Sequence, residues 1–171
     1  MLHPPITLRE PTLADAPTIA ELANNKKIWD NVRNRMPYPY GLTDAEKFIE
    51  QVIKEETSAV RAIIQDETIK GLVGLHAAQD VYTGTAELGY WIGEAYWGQG
   101  LASEAVRLIS QIGFKELGLR RIYASVYEHN LASMRVLEKN GFEREGVARA
   151  AVLKNDMVLD EVRFGLVHAD L

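Results

Sequence analysis

The stretch that decides the fold reads TAELGYWIGEAYWGQGLASEAVRLISQIGFKELGLRRIYASVYEHN and covers residues 85–130. Residues 85–93 alternate apolar and polar side chains, a pattern that predicts a β-strand with one buried face. A glycine-containing turn leads into a predicted helix over residues 100–117, and Gly118 can adopt the left-handed conformation that ends helices. Residues 121–127 form a second predicted strand. Strand, helix and strand in this order predict a crossover that joins two parallel strands.

Shorter strands and helices are predicted on both sides of this crossover. Thr43 and Glu46 have the spacing of a capping box, with Thr43 as the N-cap of a helix that runs to about residue 56. The polar residues 66–68 separate two β-branched runs and predict a hairpin. Besides the crossover we expect strands at residues 6–10, 59–65, 69–78, 147–154 and 157–167, helices at residues 13–23, 43–56 and 130–140, and a loop over residues 24–42.

Composition and charge narrow the classes of protein to which the chain can belong. Its 171 residues correspond to a single domain over residues 1–171. Hydrophobic residues make up 47% and charged residues 25%, which is typical of a globular protein rather than a disordered one. A net charge of −5 disfavours nucleic-acid binding, and the lack of cysteine excludes disulfides and thiolate metal sites. No apolar run reaches the roughly 18–20 residues of a membrane span, so we expect a cytoplasmic enzyme or binding domain without a membrane partner.

Gly98 and Gly100 stand where the central helix is predicted to begin. The first amides of a helix have no internal partners and carry the positive end of the helix dipole, so such a turn can bind a phosphate. It can equally be a tight strand-to-helix turn, which glycine also favours. A P-loop would place Lys and then Ser or Thr after Gly100, but Leu101 and Ala102 follow. A dinucleotide-binding motif would place a third glycine at Ser103 and an acidic residue about 20 positions later, and the sequence has neither.

Four segments within residues 89–146 resemble the GNAT acetyltransferase superfamily, and most closely its RimJ/RimL-type branch. They are GYWI at 89–92, YWGQGLASEA at 96–105, NLAS at 130–133 and LEKNGFEREG at 137–146. The resemblance implies the GNAT acyl-CoA N-acyltransferase fold, an α+β fold with a mixed, mostly antiparallel central sheet of about seven strands flanked by about four helices. It also implies an N-acetyltransferase that uses acetyl-CoA and acetylates a primary amine, either a protein N-terminus or a small molecule, by direct attack in a ternary complex.

The same resemblance implies where acetyl-CoA would bind. The pantetheine arm would lie between the strands at 85–93 and 121–127 and would contact Asn130 and Ser133. Asn130 is also a favoured helix N-cap residue, which would explain it without a cofactor. Trp97 occupies the first slot of the family's phosphate motif, where a polar residue is usual, so backbone amides would bind the pyrophosphate. The amides in question are those of Gln99, Gly100, Leu101, Ala102 and Ser103.

Two residues are predicted to carry the chemistry, Ser133 and Glu87. By the resemblance, Leu137 occupies the slot of the tyrosine acid of many family members, and in the RimJ/RimL-type branch the serine of Asn-x-x-Ser replaces that tyrosine. Ser133 could instead bond locally within its helical turn. Glu87 faces away from Leu88 on the strand beside the cofactor and could act as a base through a water, or it could be an exposed strand carboxylate. Val152 occupies the slot of the branch's glutamate base.

Asp160 and His129 have structural explanations that we favour over catalytic ones. Asp160 shares a strand face with Val158 and Phe164, so we expect it to point inward and to anchor backbone. Histidine is a common acid or base in catalysis, but a loop histidine such as His129 is more often simply solvated. No group of His, Asp and Glu residues has metal-ligand spacing, so no metal is predicted.

Three aromatic residues lie where GNAT proteins build the acceptor pocket: Trp29, Tyr38 and Tyr40. Aromatic rings suit an amine through cation–π contacts, although core packing explains them equally well. The sequence is also compatible with a homodimer. Because Leu137 and Val152 replace the family's acid and base, a non-catalytic acyl-CoA-binding or regulatory domain is the alternative function.

Overall fold

The structure, a computed structural model, describes residues 5–55 and 58–170, which form seven strands and five α-helices. The strands are β1 (Thr7–Arg9), β2 (Ser58–Gln65), β3 (Thr68–Ala77), β4 (Thr85–Ile92), β5 (Arg121–Tyr127), β6 (Glu143–Lys154) and β7 (Met157–Val167). The helices are α1 (Ala16–Ala23), α2 (Lys26–Trp29), α3 (Leu42–Lys54), α4 (Leu101–Lys115) and α5 (Leu131–Lys139).

The strands form one sheet in the order β1-β2-β3-β4-β5-β7-β6. Neighbouring strands are antiparallel except β4 and β5, which are parallel. Helix α4 connects these two strands, so the crossover predicted from residues 85–130 is confirmed. The mostly antiparallel, seven-stranded sheet of the predicted fold is confirmed as well.

Apolar side chains cover both faces of the sheet. One face packs against α4 and α5 in a cluster that includes Leu88, Val106 and Ile122. The other face packs against α1 and α3 in a second cluster that includes Ile19 and Ile49. Because side chains of a strand alternate between the faces, β4 presents its even-numbered residues to α4 and its odd-numbered residues to the opposite layer.

Helix α3 begins earlier than predicted. Its N-cap residue is Gly41, and Asp44 Oδ2 accepts a hydrogen bond from the Gly41 N–H at 2.9 Å. The prediction that Thr43 caps this helix is therefore wrong, since the acidic side chain that secures the helix start is that of Asp44. The helix ends at Lys54, and residue 56, its predicted end, lies outside the described residues.

Helix α2 lies inside the segment that the sequence predicts to be a loop. Asn25 caps it, because Oδ1 accepts hydrogen bonds from the N–H groups of Lys27 and Ile28 at 2.9 and 3.2 Å. Ile28 is 4% exposed and anchors the short helix to the core. This helix raises the number of α-helices in the described part of the chain to five, against about four predicted.

Strand β6 starts at Glu143, earlier than predicted, and its register with β7 shifts at residues 149–151. These residues form a bulge opposite Asp160, whose Oδ1 accepts a hydrogen bond from the Ala150 N–H at 2.8 Å. Asp160 thus anchors backbone, in agreement with the predicted structural role. The expectation that it shares a buried face with Val158 is wrong, because Val158 is 63% exposed near the end of the hairpin.

Candidate active site

A gap opens between the parallel strands β4 and β5. Their register begins at Thr85–Arg121 and ends at Glu87–Tyr123, while β4 runs on to Ile92 and β5 to Tyr127. The two strands therefore diverge beyond the third pair. Diverging strand edges leave backbone N–H and C=O groups that an extended ligand can bind.

The turn between β4 and α4 opens onto this gap with free backbone amides. Gly98 and Gly100 have φ values of 74° and 78°, a left-handed conformation that favours glycine. Helix α4 makes its first hydrogen bond from the Glu104 N–H to the Gly100 carbonyl, at 3.1 Å. The amides of residues 101–103 lie ahead of that bond, at the positive end of the helix dipole. Residues 98–100 are exposed, so this end of the helix is open to solvent.

Side chains hold the turn in place. The Trp97 indole N–H donates to the Ile92 carbonyl at 2.7 Å, which ties the turn back to the end of β4. The Asn140 amide Nδ2 donates to the carbonyl and the Oγ of Ser103, at 3.1 and 3.2 Å, which ties the end of α5 to the first turn of α4. These contacts position the turn through the indole N–H and the serine oxygens, so they do not compete for the Ser103 amide.

Helix α5 brings Asn130 and Ser133 to the same gap. Asn130 Oδ1 accepts a hydrogen bond from the Ser133 N–H at 3.2 Å, so Asn130 is the N-cap residue that its sequence position allows. Ser133 Oγ lies 2.7 Å from the hydroxyl of Tyr90 on β4. The serine side chain therefore bonds across to the strand. Leu137, one turn later, is fully buried in the core.

On the opposite face of β4, Glu87 forms an ion pair with Arg33. Its neighbours in the register are His76 of β3 and Tyr123 of β5. Burial of the imidazole lowers the pKa of His76, so the ring is neutral at neutral pH. The Glu87 side chain keeps 22% of its surface exposed. A carboxylate that pairs with a guanidinium and is reachable by water can receive a proton through that water.

An open cleft of about 280 Å³ adjoins this ion pair, because Arg33 forms part of its wall. Tyr127 and Glu161, a register pair of β5 and β7, also line it. Val152 and Lys154 of β6 complete much of the remaining wall. The aromatic ring and the carboxylate are groups that bind ammonium ions, while the cationic lining residues are engaged elsewhere, Arg33 with Glu87 and Lys154 with the Trp29 ring.

Of the three predicted aromatic residues, Trp29 contacts a residue of the cleft wall, and Tyr38 packs on Trp29. The rings of Trp29 and Tyr38 stack with their centroids 5.6 Å apart, and Nζ of the cleft residue Lys154 lies 3.6 Å from the centre of the Trp29 ring. Tyr40 is 7% exposed and packs in the cluster between the sheet and α1 and α3. Its position therefore favours core packing, the other explanation that the sequence allows.

His129 lies on the exposed loop before α5, and its Nε2 is 2.9 Å from Asn31 Oδ1. Within residues 5–55 and 58–170, no group of three or more His, Cys, Asp or Glu side chains is arranged to hold a metal ion. In that same part of the chain, no helix combines the length and the apolar character needed to cross a bilayer.

The sequence alone does not identify three residues as part of the site: Tyr90, Arg33 and Lys154. Each touches a partner that is distant along the chain, by 43 positions for Tyr90 and Ser133 and by 54 for Arg33 and Glu87. For Lys154, whose Nζ donates to Asn34 Oδ1 at 2.7 Å, the separation is 120 positions. The alternation of β4 indicates that Tyr90 faces the helices, but no local pattern brings Ser133 opposite to it.

The sequence matches the family model described as the acetyltransferase (GNAT) domain over residues 6–143. The chain belongs to the GNAT family. Among its GNAT relatives, the probable N-acetyltransferase YjcK of Bacillus subtilis strain 168 is 41% identical over 105 residues, which are 61% of this chain and 58% of that protein. The match thus spans less than two thirds of that relative. The uncharacterized N-acetyltransferase p20 of Bacillus licheniformis is 31% identical over 167 residues, 95% of this chain and 92% of that protein.

The RimJ/RimL-type resemblance is confirmed by further relatives of this GNAT protein. The [ribosomal protein uS5]-alanine N-acetyltransferase of Escherichia coli strain K12 is 28% identical over 155 residues, 88% of this chain and 79% of that protein. The structure of Mycobacterium smegmatis RimJ in complex with CoA-disulfide superposes with a TM-score of 0.88 and 20% identity, covering 97% of this chain and 83% of that one. At this identity the structural likeness shows the GNAT fold alone.

Proposed function

We propose that this GNAT N-acetyltransferase transfers the acetyl group of acetyl-CoA to a primary amine, by direct attack within a ternary complex. The observation that carries the proposal is the gap between β4 and β5, which opens at the free amides that begin α4. Strand edges bind extended chains and helix N-termini bind phosphates. Acetyl-CoA, an extended arm joined to a diphosphate, has the shape and the charge that suit both features.

Backbone groups supply most of the proposed cofactor site. The amides of residues 99–103 would hold the diphosphate, and the unpaired edge of β4 at residues 88–92 would bind the pantetheine arm. Asn130 and Ser133 would contact that arm from the start of α5. Asn130 uses Oδ1 as a cap, which leaves its Nδ2 as a donor for the ligand.

Glu87 and Ser133 divide the proton transfers in the proposed reaction. Glu87 takes a proton from the attacking nitrogen through a water, which keeps a lone pair on that nitrogen. Ser133 gives a proton to the thioester sulfur as the carbon–sulfur bond breaks. One N–C bond replaces one C–S bond, and the proton that the nitrogen loses balances the proton that the sulfur gains.

The cleft lined by Arg33, Tyr127 and Glu161 is the proposed entry of the acceptor amine. Tyr127 and Glu161 can attract an ammonium group, and the ion pair with the lining residue Arg33 brings Glu87 next to the cleft. Because the cleft is open, it suits a protein N-terminus as well as a small amine. The name of the uS5-alanine N-acetyltransferase, which describes acetylation of a ribosomal protein, supports keeping a protein N-terminus among the acceptors.

Thiol release from acetyl-CoA, measured with a panel of small primary amines and peptide N-termini, tests the proposal. We expect release that depends on the amine and saturates with it. Gly100→Glu introduces a side chain and a negative charge at the phosphate-binding amides, so it should abolish both turnover and the thermal stabilisation by CoA.

Gly118→Glu is the matched control for this variant. Gly118 has a φ of 63° and lies beyond the other end of α4, so the substitution adds the same charge and a comparable backbone strain away from the gap. This variant should still bind CoA. Equal binding of CoA by the two variants would contradict the proposed diphosphate site.

A second candidate function is a non-catalytic acyl-CoA-binding domain. Two observations favour it: Leu137 is buried where many family members have their tyrosine acid, and Val152 lines the cleft where the branch has its glutamate. The same assay separates the two functions. Stabilisation by acetyl-CoA without thiol release on any amine would support the binding domain and contradict the transferase.

A further inference from the structure

Tyr90 joins β4 to α5 across the gap. Its hydroxyl oxygen lies 2.7 Å from Ser133 Oγ and 3.3 Å from the Ser133 carbonyl oxygen. Its ring packs against the core cluster beneath α4. Burial raises the pKa of Tyr90 to about 12, so the phenol stays protonated and remains a hydrogen-bond donor at neutral pH.

One of the two hydroxyls must donate to the other, and acidity decides which one does. Even with its pKa raised to about 12, the Tyr90 phenol is a stronger donor than the aliphatic alcohol of a serine. The phenol proton has two acceptors within reach, Ser133 Oγ at 2.7 Å and the Ser133 carbonyl oxygen at 3.3 Å, and the shorter distance favours Oγ. With the phenol as donor, the serine proton is free to point elsewhere. The cap from Asn130 to the Ser133 N–H fixes the first turn of α5 and with it the position of Oγ.

We propose that Tyr90 is a positioning residue for Ser133: its phenol holds the serine oxygen and turns the serine proton toward the thioester sulfur. The inference rests on the proposed function, in which Ser133 is the proton donor. Tyr90 thus supplies the site with a phenol from β4. Leu137 occupies the position on α5 at which many family members carry a tyrosine.

The effect of Tyr90 is largest at the transition state. As the Ser133 O–H bond breaks and the S–H bond forms, negative charge grows on Oγ. A hydrogen bond to a charged oxygen is stronger than one to a neutral hydroxyl, so the phenol stabilises the transition state more than the ground state. Because the phenol is the stronger acid, its proton can follow onto Oγ as the serine proton leaves. The hydroxyl pair then regains one proton from solvent, to which Glu87 releases the proton that it took from the acceptor nitrogen.

Steady-state kinetics of Tyr90→Phe, Ser133→Ala and the double variant test this inference, with acetyl-CoA and an amine that the wild type acetylates. We expect Tyr90→Phe to lower kcat about tenfold or more while KM for acetyl-CoA stays within about twofold. The double variant should be no slower than Ser133→Ala, because Tyr90 acts through Ser133. Tyr96→Phe, whose ring packs against the same cluster, is the matched control and should keep the wild-type kcat.

Each alternative result has a definite meaning. A wild-type kcat in Tyr90→Phe overturns the inference even if Ser133→Ala is slow. The inference is also overturned if the fall in kcat of the double variant equals the product of the falls in the two single variants. A wild-type kcat in Ser133→Ala overturns the inference while acetyl transfer itself stands. Binding of acetyl-CoA by the wild type without acetylation of any amine overturns the proposed function, and the inference with it.

A spectroscopic measurement covers the case in which Tyr90→Phe does not fold. In protein labelled with ¹³C at the tyrosine Cζ, the Tyr90 resonance should shift between the wild type and Ser133→Ala, because the hydrogen bond to the phenol is lost. An unchanged resonance would overturn the inference.

Discussion

Glu87 is the proposed proton acceptor of the reaction, so its charge should affect kcat directly. Glu87→Gln keeps the shape of the side chain and removes the proton acceptor, so we expect kcat to fall about 100-fold. KM for acetyl-CoA should change little, because the side chain lies on the face of β4 away from α4. Glu143→Gln, exposed on β6, is the matched control. Equal values of kcat for the two variants in steady-state assays would mean that solvent acts as the base.

The ion pair between Asp15 and Arg9 makes the free energy of unfolding depend on pH. Arg9 donates two hydrogen bonds to its carboxylate at 2.7 and 2.8 Å, and the Thr12 N–H donates a third at 2.8 Å. The contact with Arg9 above all holds the pKa of Asp15 below its ordinary value of 3.8. Since the unfolded chain binds this proton more readily, the carboxylate stabilises the fold above about pH 4 and loses that effect as the pH falls through the folded pKa.

We therefore expect Asp15→Asn to lower the free energy of unfolding by about 1–3 kcal/mol at pH 7. The difference from the wild type should narrow as the pH falls through the folded pKa of Asp15, which lies below 3.8, because the wild-type carboxylate then becomes protonated as well. Urea unfolding at a series of pH values measures this difference. If it stayed constant over the series, the ion pair would not be its source.

Aromatic residues show what the sequence can and cannot predict about single positions. Trp29, Tyr38 and Tyr40 stand close together in the chain and are equally able to fill a core or to line a pocket. The structure places Tyr40 in the core, while Trp29 lies beneath the ammonium group of Lys154 in the cleft wall. Asn130, in contrast, is predictable as an N-cap residue because capping depends on its immediate neighbours alone.

At the level of elements, a group of contacts joins the β6–β7 hairpin to the segment that begins with α2. Lys154 is 2% exposed, and its ammonium group donates to Asn34 Oδ1 at 2.7 Å and lies over the Trp29 ring. Asn155, in the turn that follows, donates to Asp30 Oδ1 at 2.8 Å. These contacts hold two walls of the proposed acceptor cleft together.

Lys154→Met keeps the apolar stem of the side chain and removes the charge. Burial lowers the pKa of Lys154, so the charge is costly at this site, and the exposed Asn34 can bond to water once the ammonium group is gone. We therefore expect the free energy of unfolding to change by no more than about 1 kcal/mol. KM for the amine should rise severalfold, because the wall that carries Trp29 is released, while KM for acetyl-CoA stays the same. Lys139→Met, exposed at the end of α5, is the control. An unchanged KM for the amine would place the acceptor elsewhere.

Most elements are predictable because their signals are local and periodic. The β2–β3 hairpin, α4 and β5 follow from alternation, helical spacing and turn residues, and all are confirmed. The start of α3 is not predictable, because Gly41 with Asp44 and Thr43 with Glu46 both fit a helix start. The burial of Tyr40, whose N–H donates to Asn24 Oδ1 at 3.0 Å, fixes the chain just ahead of Gly41. Tertiary contact therefore chooses between two locally equivalent starts.

For the whole molecule, the gap between β4 and β5 predicts a pattern of hydrogen exchange. Without ligand, the amides of residues 88–92 that do not pair with β3, and those of residues 99–103, should exchange rapidly. Acetyl-CoA should slow exchange in both segments by about tenfold or more, since it would satisfy these groups. Hydrogen-exchange mass spectrometry measures this, with the β1–β2 pair as the internal reference. Equal slowing everywhere would indicate general stabilisation and contradict a ligand seated in the gap.

The short pairing between β4 and β5 also affects how fast proteases degrade the protein. In these two strands, both fully described, three residue pairs carry the interstrand hydrogen bonds at the middle of the sheet. A bound cosubstrate would act as an additional strand there and would suppress the local openings from which proteases cut. We therefore expect a starved cell, poor in acetyl-CoA, to degrade this protein faster than a well-fed one.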